Sequence, residues 1–284
     1  MGKNYVLYNP FADNGKGELN SRKVKEYLKG EIEFTDMSKV SNYQDLFRKF
    51  APDDRLIICG GDGTLIRFVN ACDDMIPDNE VYLFPVGTGN DFLLDIGYKD
   101  GKGPVLINKF LSDLPWVEVK GKKYYFIDNV ACGIDGWVCE IADQKKGRNP
   151  GANINYTTIA ISGLLGKYKP CNARVTVDGQ TMDYRRVWMA PSMNGRYFGG
   201  GMMVTPYQDR LSADRTLTLM MFTGSNRLKT AVTFPQIFSG KHVNSPHTVF
   251  VKGHDIVVEF DEPRAVQIDG ETILGVTRYH AVKI

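Results

Sequence analysis

The stretch that decides the fold is ICGGDGTLIRFVN, Ile58–Asn70. An apolar run ends at Cys59, three glycines and one aspartate occupy positions 60–63, and a helical pattern begins at Thr64. Glycine permits a sharp turn at positive φ and lets a ligand approach the backbone amides. A helix start adds free N–H groups and a partial positive charge, so this pattern is typical of a phosphate-binding turn.

Two common phosphate loops are excluded by the residues of this turn. No Gly-Lys-Ser/Thr ends it, and the third glycine of G-x-G-x-x-G is missing. Asp62 would repel a phosphate unless a metal ion lay between them, which favours a magnesium-bound nucleotide. The alternative is a tight structural turn with a solvated aspartate, and the loop alone does not decide between the two.

Around this loop, strand and helix patterns alternate through the first third of the chain. Such alternation predicts a mostly parallel sheet with helices on both faces, whose ligands bind at the carboxyl ends of the strands. Strand patterns occupy residues 4–8, 31–35, 55–59 and 81–86, and helical patterns occupy residues 17–30, 42–50, 64–72 and 91–96.

Two more strand ends carry similar turns. NPFADNGKG follows the first strand from Asn9, and VGTGND follows the fourth from Val86. Three glycine- or Asx-rich turns at one edge of one sheet exceed what simple chain reversal needs. We therefore expect these turns to form one ligand site.

The pattern changes after Trp116 to short strands separated by turn residues such as Asp178-Gly179. This change predicts a nucleotide-binding α/β domain at 1–116 and a β-sandwich domain at 117–284. No linker separates them, so we expect a cleft between them as the site of activity. One variant of this prediction has the C-terminal segment 275–284 packing back on the first domain.

Composition narrows the class of protein. A net charge of +2 gives no argument for a nucleic-acid partner. Five cysteines without a C-x-x-C pair are typical of reduced thiols in a cytoplasmic protein. The N-terminus lacks signal-peptide and myristoylation patterns, and no apolar run approaches the ~18 residues of a transmembrane segment. Any contact with lipid is expected from the aqueous side, at the inner face of the membrane.

GGDGT followed by VGTGND resembles the signature of the diacylglycerol kinase catalytic domain superfamily. That superfamily includes bacterial diacylglycerol and lipid kinases, sphingosine kinases and, more distantly, NAD kinases. The blocks NVACGIDGWV, MNGRYFGGGMMVTP, SGKHVNSPHT and QIDGE match further elements in the family's order. The resemblance implies an α/β domain followed by a β-sandwich domain, as in NAD kinases and diacylglycerol kinases.

The resemblance also implies ATP contacts in the three turns and at the end of the second strand. Asp91 would belong to an acidic network around magnesium. The implied nucleotide-binding residues are Asn9, Pro10, Phe11, Ala12, Asp13, Thr35, Gly60, Gly61, Asp62, Gly63, Thr64, Thr88, Asn90 and Asp91.

Glu271 of QIDGE matches the family's proton acceptor, with Asp269 beside it, and Asp62 completes the implied catalytic set. A carboxylate can take the proton of the acceptor hydroxyl as its oxygen attacks the γ-phosphorus. Asp-Gly between strands more often means a β-hairpin turn, and a rigid hairpin is also a good mount for a catalytic carboxylate.

The family carries a structural magnesium, which the resemblance assigns to the Asp214 carboxylate and the Leu211 and Thr216 carbonyls. The alternative is that Asp214 caps a turn. Two departures stand out, since Arg215 replaces a usual glycine and Ile66-Arg67 replaces a usual Asn-Glu after GGDGTL.

Together these features predict an ATP- and Mg²⁺-dependent kinase that phosphorylates a hydroxyl of a diacylglycerol-like or sphingoid lipid at the membrane surface, with a role in phospholipid biosynthesis. The alternatives are a kinase of a soluble acceptor such as NAD, and a non-catalytic nucleotide-binding regulator. Oligomeric state stays open, with a homodimer as one option.

Overall fold

The computed structural model describes residues 2–72, 75–87, 89–99, 101–149 and 154–284, apart from the Asn14 side chain. The chain divides into two compact units, Met1–Leu114 and Pro115–Ile284.

Unit 1 alternates strands and short helices. Its strands are β1 (Asn4–Tyr8), β2 (Ile32–Asp36), β3 (Arg55–Gly60), β4 (Glu80–Pro85) and β5 (Val105–Leu106). Its α-helices are α1 (Ala12–Gly15), α2 (Gly17–Ser21), α3 (Tyr43–Phe47), α4 (Asp62–Cys72), α5 (Asp91–Asp95) and α6 (Asn108–Leu111), with 3₁₀ turns at Arg22–Glu26 and Met37–Lys39.

The sheet of unit 1 has the strand order β2-β1-β3-β4-β5. β1 to β4 run parallel, and β5 is antiparallel to β4. The order of the strands reverses between β1 and β3, and open parallel sheets bind ligands at such a point, beyond the carboxyl ends of the strands. Tyr8 pairs with Cys59 and Gly60 pairs with Pro85, so β1, β3 and β4 end side by side.

The central strands of unit 1 are buried on both faces. Ile57 and Cys59 pack into one core cluster with Val6 and Val86, while Leu56 and Ile58 point to the opposite face and are fully buried. Burial on both faces is characteristic of parallel sheets covered by helices, and it confirms the predicted α/β class of the first unit.

Unit 2 is mostly antiparallel. Its strands are β6 (Trp116–Val119), β7 (Lys122–Tyr125), β8 (Asn129–Gly133), β9 (Cys171–Val177), β10 (Gln180–Val187), β11 (Met189–Met193), β12 (Tyr197–Phe198), β13 (Met202–Met203), β14 (Leu217–Phe222), β15 (Thr248–Gly253), β16 (Asp255–Ile268) and β17 (Glu271–Val282). Its helices are α7 (Ile134–Arg148), α8 (Tyr156–Ser162), a π-turn at Gly163–Lys167, α9 (Arg227–Thr233) and 3₁₀ turns at Phe234–Ser239 and Lys241–Asn244.

The long strands of unit 2 form one sheet in the order β15-β14-β11-β8-β16-β17-β6-β7, with β9 paired to β16 and β10 to β9. One core cluster includes Val130, Val175, Val258 and Tyr279 from the strands. A second cluster packs α7 and α8 against the strands, with Trp188 at its centre. The predicted β-sandwich class of the second half is thereby confirmed.

Two further details of unit 2 concern β17 and α9. The segment 275–284 lies mostly in β17, which pairs with β16 and β6 of the same unit. The helix α9 had no predicted counterpart, because its seven residues expose Leu228 and Val232 and so lack a normal amphipathic pattern.

Candidate functional site

Two of the three predicted turns are hydrogen-bonded to each other at the carboxyl edge of the unit 1 sheet. The Asp62 amide donates to the Gly89 carbonyl at 3.0 Å, and the Val86 amide donates to the Gly60 carbonyl at 3.2 Å. The strand ends and these bonds bring the GGDGT turn and the VGTGND turn into one assembly.

The Asp62 carboxylate links the same two turns. Its Oδ2 accepts the Asp91 amide at 2.7 Å, and its Oδ1 accepts the Phe92 amide at 3.2 Å. These are the first two amides of α5, which have no partner within that helix. Asp62 therefore caps a helix that is 29 residues away in sequence. The alternative of a solvated aspartate is wrong, because the side chain is half-buried and engaged.

None of the three GGDGT glycines adopts a positive φ, so close approach rather than backbone conformation explains them. Gly60 and Gly61 are needed for close packing, since a Cβ at Gly60 would lie 2.3 Å from the Thr64 Cβ and one at Gly61 would lie 2.1 Å from the Gly89 carbonyl oxygen. A Cβ at Gly63 would meet no atom of the described residues within 4 Å. Open space beside an amide at the start of α4 is where a phosphate could approach.

The opening turn is built around Asn9. Its Oδ1 accepts the Phe11 amide at 3.0 Å, and its carbonyl accepts the Ala12 amide at 3.1 Å. Phe11 is 74% exposed, and Asp13 has a φ of 48° and accepts a hydrogen bond from Asn20. With Pro10 between Asn9 and Phe11, this turn directly follows β1, beside the GGDGT turn that follows β3.

The remaining nucleotide candidates that the structure describes lie at the same edge of the sheet. Thr35 pairs with Leu7 near the end of β2, Thr64 is buried in the first turn of α4, and Asp91 begins α5. Asn90 donates to the Gly87 carbonyl at 3.2 Å. Thr88 lies outside the described residues.

In unit 2, the QIDGE block is a two-residue β-hairpin. Ile268 pairs with Glu271 across a turn in which Asp269 and Gly270 have φ values of 44° and 89°. Two positive φ values are typical of a type I′ turn. The turn places Glu271 at the exposed start of β17.

Asp269 holds this hairpin in place. Its carboxylate accepts the amides of Ile127 at 2.5 Å, Asp128 at 3.0 Å and Asn129 at 2.8 Å. Burial raises the pKa of the Asp269 carboxyl, while these three donors favour the charged form and oppose that rise. The geometry gives Asp269 a positioning role next to Glu271.

A buried polar network lies beside the hairpin. Arg210 donates to the Asp128 carboxylate at 2.7 Å and to the Ile127 carbonyl at 3.1 Å. Lys283 donates to Asn194 Oδ1 at 2.9 Å and to the Arg210 carbonyl at 2.7 Å. None of these residues was predicted from the sequence, although the block MNGRYFGGGMMVTP contains Asn194. A lone Arg or Lys in a strand or loop gives no signal that it will be buried.

The predicted structural metal residues share one loop. Arg215, where the resemblance implies a usual glycine, has a φ of 50°, in the left-handed region that favours glycine. Ser212 and Thr216 hold the pKa of the Asp214 carboxyl below its usual range. The Thr216 carbonyl accepts a hydrogen bond from the Gln208 side-chain Nε2 at 2.8 Å.

Within the described residues, no group of three His, Cys, Asp or Glu side chains could hold a metal ion. One carboxylate and two carbonyls are hard oxygen donors, which suit Mg²⁺, and a carbonyl with one hydrogen bond keeps a second lone pair. The residues of this loop therefore fit the predicted ion chemically.

Among the described residues, no helix combines the length and the apolar character that crossing a bilayer requires.

Two family models cover most of the chain. The diacylglycerol kinase catalytic domain matches residues 3–113, and the YegS C-terminal NAD kinase beta sandwich-like domain matches residues 128–282. The second match alone spans more than half of the chain.

Individual proteins that are similar to this chain carry names from the same families. A Bacillus subtilis protein named lipid kinase YtlR is 25% identical over 97% of this chain and 94% of its own length. A Mycobacterium tuberculosis diacylglycerol kinase is 26% identical over 72% of this chain and 67% of its own. A crystal structure of a Bacillus anthracis protein described as a diacylglycerol kinase has a TM-score of 0.70 at 19% identity, covering 100% of this chain and 92% of that one, and shows the shared fold.

Proposed function

The chain belongs to the diacylglycerol kinase superfamily and is a kinase with an alcohol group as acceptor; from this premise we propose that it transfers the γ-phosphate of ATP, with Mg²⁺, to a hydroxyl of a diacylglycerol-like or sphingoid lipid. The observation that carries the proposal is the assembly of the GGDGT and VGTGND turns, tied by Asp62, at the carboxyl ends of β3 and β4.

The turns of unit 1 supply the nucleotide site. α4, an 11-residue helix, carries a partial positive charge at its start, and the open space at Gly63 lets a phosphate approach the backbone there. Rigid turns position the triphosphate before reaction, and positioning accounts for much of phosphoryl-transfer catalysis. Asp62 fixes these turns through its bonds to the α5 amides, and we propose that it contributes to catalysis by this positioning.

Magnesium supplies charge neutralisation on the phosphates when bound. Asp214, Leu211 and Thr216 would hold the structural ion in unit 2, since their oxygens fit it. Asp91 and Asp62 are the candidate acidic groups near the nucleotide. Removal of Mg²⁺ with EDTA is expected to abolish transfer.

Glu271 is the proposed base. The type I′ turn and the three bonds to Asp269 fix its backbone, and its exposed carboxylate can accept the proton of an incoming hydroxyl. Proton acceptance at Glu271 raises the nucleophilicity of the acceptor oxygen, while Asp269 keeps the hairpin from shifting.

The lipid class of the acceptor is supported by the names of the relatives, which include lipid kinase YtlR and diacylglycerol kinases. The protein should be incubated with γ-labelled ATP and, in parallel, a bacterial lipid extract or NAD. Label in the organic phase, identified by mass spectrometry, is the expected result. Label in NADP would identify a soluble-acceptor kinase, and ATP binding without transfer would identify a regulator.

A further inference from the structure

Two segments of unit 2 expose large apolar side chains to an unusual degree. Leu165 is 78% exposed, Leu228 is 81% exposed and Val232 is 70% exposed. Ile161 and Phe238, in the same segments, are about half exposed. Single exposed apolar residues are normal on a protein surface, but a group of them marks an interaction site.

The exposed residues follow helical spacing. Ile161 and Leu165 are four residues apart, as are Leu228 and Val232, so each pair lies on one face of its helical segment. The opposite faces carry the buried residues Ile159 and Thr230. Each segment is therefore anchored by its inner face and presents an apolar outer face.

Arg227 joins the two segments. Its Nη2 donates to the Tyr168 carbonyl at 2.8 Å, and its Nη1 donates to the Gly163 and Leu164 carbonyls at 3.4 Å. Its guanidinium also lies 5.6 Å from the centre of the buried Trp188 ring. The two segments thus share one support and form a single surface.

The charged side chains of the two segments are all of one sign. Residues 154–170 and 223–248 contain no Asp or Glu, although the chain has 33 acidic residues among 284. We call the exposed set the apolar–basic surface; it comprises Ile161, Leu165, Leu228, Val232 and Phe238 with the exposed lysines Lys167, Lys169, Lys229 and Lys241.

We propose that the apolar–basic surface docks on an anionic lipid bilayer, with Leu165, Leu228 and Val232 entering the interface and the lysines contacting lipid head groups. Apolar side chains that enter the boundary of a bilayer, flanked by cations, are how peripheral proteins hold an anionic membrane. The absence of carboxylates in both segments favours this occupant over a second copy of the chain, whose equivalent surface would repel it. If the proposed function holds, this surface is where the lipid kinase would contact the membrane. The docking itself can be measured without any kinase activity.

The apolar part is tested by co-sedimentation without ATP. Vesicles of phosphatidylcholine mixed with phosphatidylglycerol should bind the wild-type protein. The variant Leu165→Ser/Leu228→Ser should bind at least about tenfold more weakly, because it lacks two leucine side chains that would be buried in the bilayer. Ile284→Ser, which removes an equally exposed apolar residue (75%) elsewhere in unit 2, should bind like the wild type.

The basic part is tested with the same vesicles. Lys229→Gln/Lys241→Gln should weaken binding to anionic vesicles by roughly fivefold per lysine and reduce its salt dependence. Binding to pure phosphatidylcholine should not change.

Three results would overturn the proposal. These are no vesicle binding by the wild-type protein at low salt, equal binding by the leucine variant, or a wild-type dimer in solution that the leucine variant dissociates. Kinase assays in detergent micelles separate this proposal from the proposed function, because the leucine variant should keep micellar activity. A wild-type protein that binds vesicles but phosphorylates no lipid would contradict only the function.

Discussion

Asp62 and Asp269 each stand beside glycine in a family motif, and each uses its carboxylate to accept backbone amides. Asp62 accepts two amides of α5, and Asp269 accepts three at the start of β8. A charged acceptor binds amide donors more strongly than a neutral one, so both residues stiffen the motif that contains them. Reactive chemistry is then left to groups such as Glu271 that remain exposed.

The capping role of Asp62 predicts different costs for two substitutions. Asp62→Ala leaves the Asp91 and Phe92 amides without this acceptor and should lower the free energy of unfolding by about 1–3 kcal/mol. Asp62→Asn keeps one carbonyl oxygen and should cost less than half of that, while phosphoryl transfer still falls because the charge is lost. Urea unfolding and a kinase assay measure the two effects. Equal stability of Asp62→Ala and the wild type would contradict the capping role.

Asp135, at the start of α7, predicts a pH effect. The residue is 8% exposed, and burial raises the pKa of its carboxyl from 3.8 to about 6. Because the folded pKa lies above the unfolded one, the associated stability is present below about pH 4 and is lost as pH rises to about 6.

The measurement for Asp135 is urea unfolding of the wild type and Asp135→Asn across this window. Relative to the variant, the wild type should lose about 2 kcal/mol between pH 4 and pH 6, most of the roughly 3 kcal/mol that a shift of about two pKa units gives over the full titration. The comparison cancels the titration of other carboxylates. A constant difference between the two proteins across the window would contradict the buried, perturbed carboxyl.

At the scale of elements, the two glycine-rich turns act as one assembly because Gly61 lies against Gly89. Gly61→Ala would put a Cβ 2.1 Å from the Gly89 carbonyl oxygen, so it should separate the turns and lower both stability and ATP affinity. Gly63→Ala faces open space among the described residues and should keep stability, since alanine favours the helix.

Gly63→Ala is then the informative variant of the pair. If phosphate approaches the Gly63 amide, the added methyl should reduce ATP affinity by about tenfold or more without loss of thermal stability. Isothermal titration with ATP and a thermal melt separate the two properties. Unchanged ATP affinity in Gly63→Ala would place the phosphate elsewhere.

Much of the element order could be predicted from the sequence, for physical reasons. Buried parallel strands such as β3 appear as continuous apolar runs, and the positive φ of a type I′ turn selects Asp-Gly at 269–270. Helix α9 could not be predicted, because its outer face is apolar although exposed.

The site could be predicted only where local sequence fixes local geometry. The turns at Gly60 and Gly87 were found from glycine and strand patterns. The Asp62 cap joins residues 29 positions apart, and the Arg210–Asp128 pair joins residues 82 apart. Such contacts depend on tertiary packing, which a local pattern does not encode.

At the scale of the whole molecule, the proposed tasks fall on different units. Unit 1 carries the turns proposed to bind the nucleotide, and unit 2 carries the Glu271 hairpin, the candidate metal loop and the apolar–basic surface. Each of the two family models matches residues of one unit only. The account therefore predicts that a substitution at Glu271 affects transfer and leaves ATP binding intact.

The most direct test of the account is transfer of label from γ-labelled ATP to a lipid extract by the wild type and by Glu271→Gln, with ATP affinity measured in parallel. The account predicts labelled phospholipid from the wild type, a rate lower by about 10²–10⁴-fold in Glu271→Gln, and equal ATP affinity. Glu271→Gln that transfers label to lipid at the wild-type rate would contradict the assignment of the base. A wild-type protein that labels no lipid at all would contradict the proposed function itself.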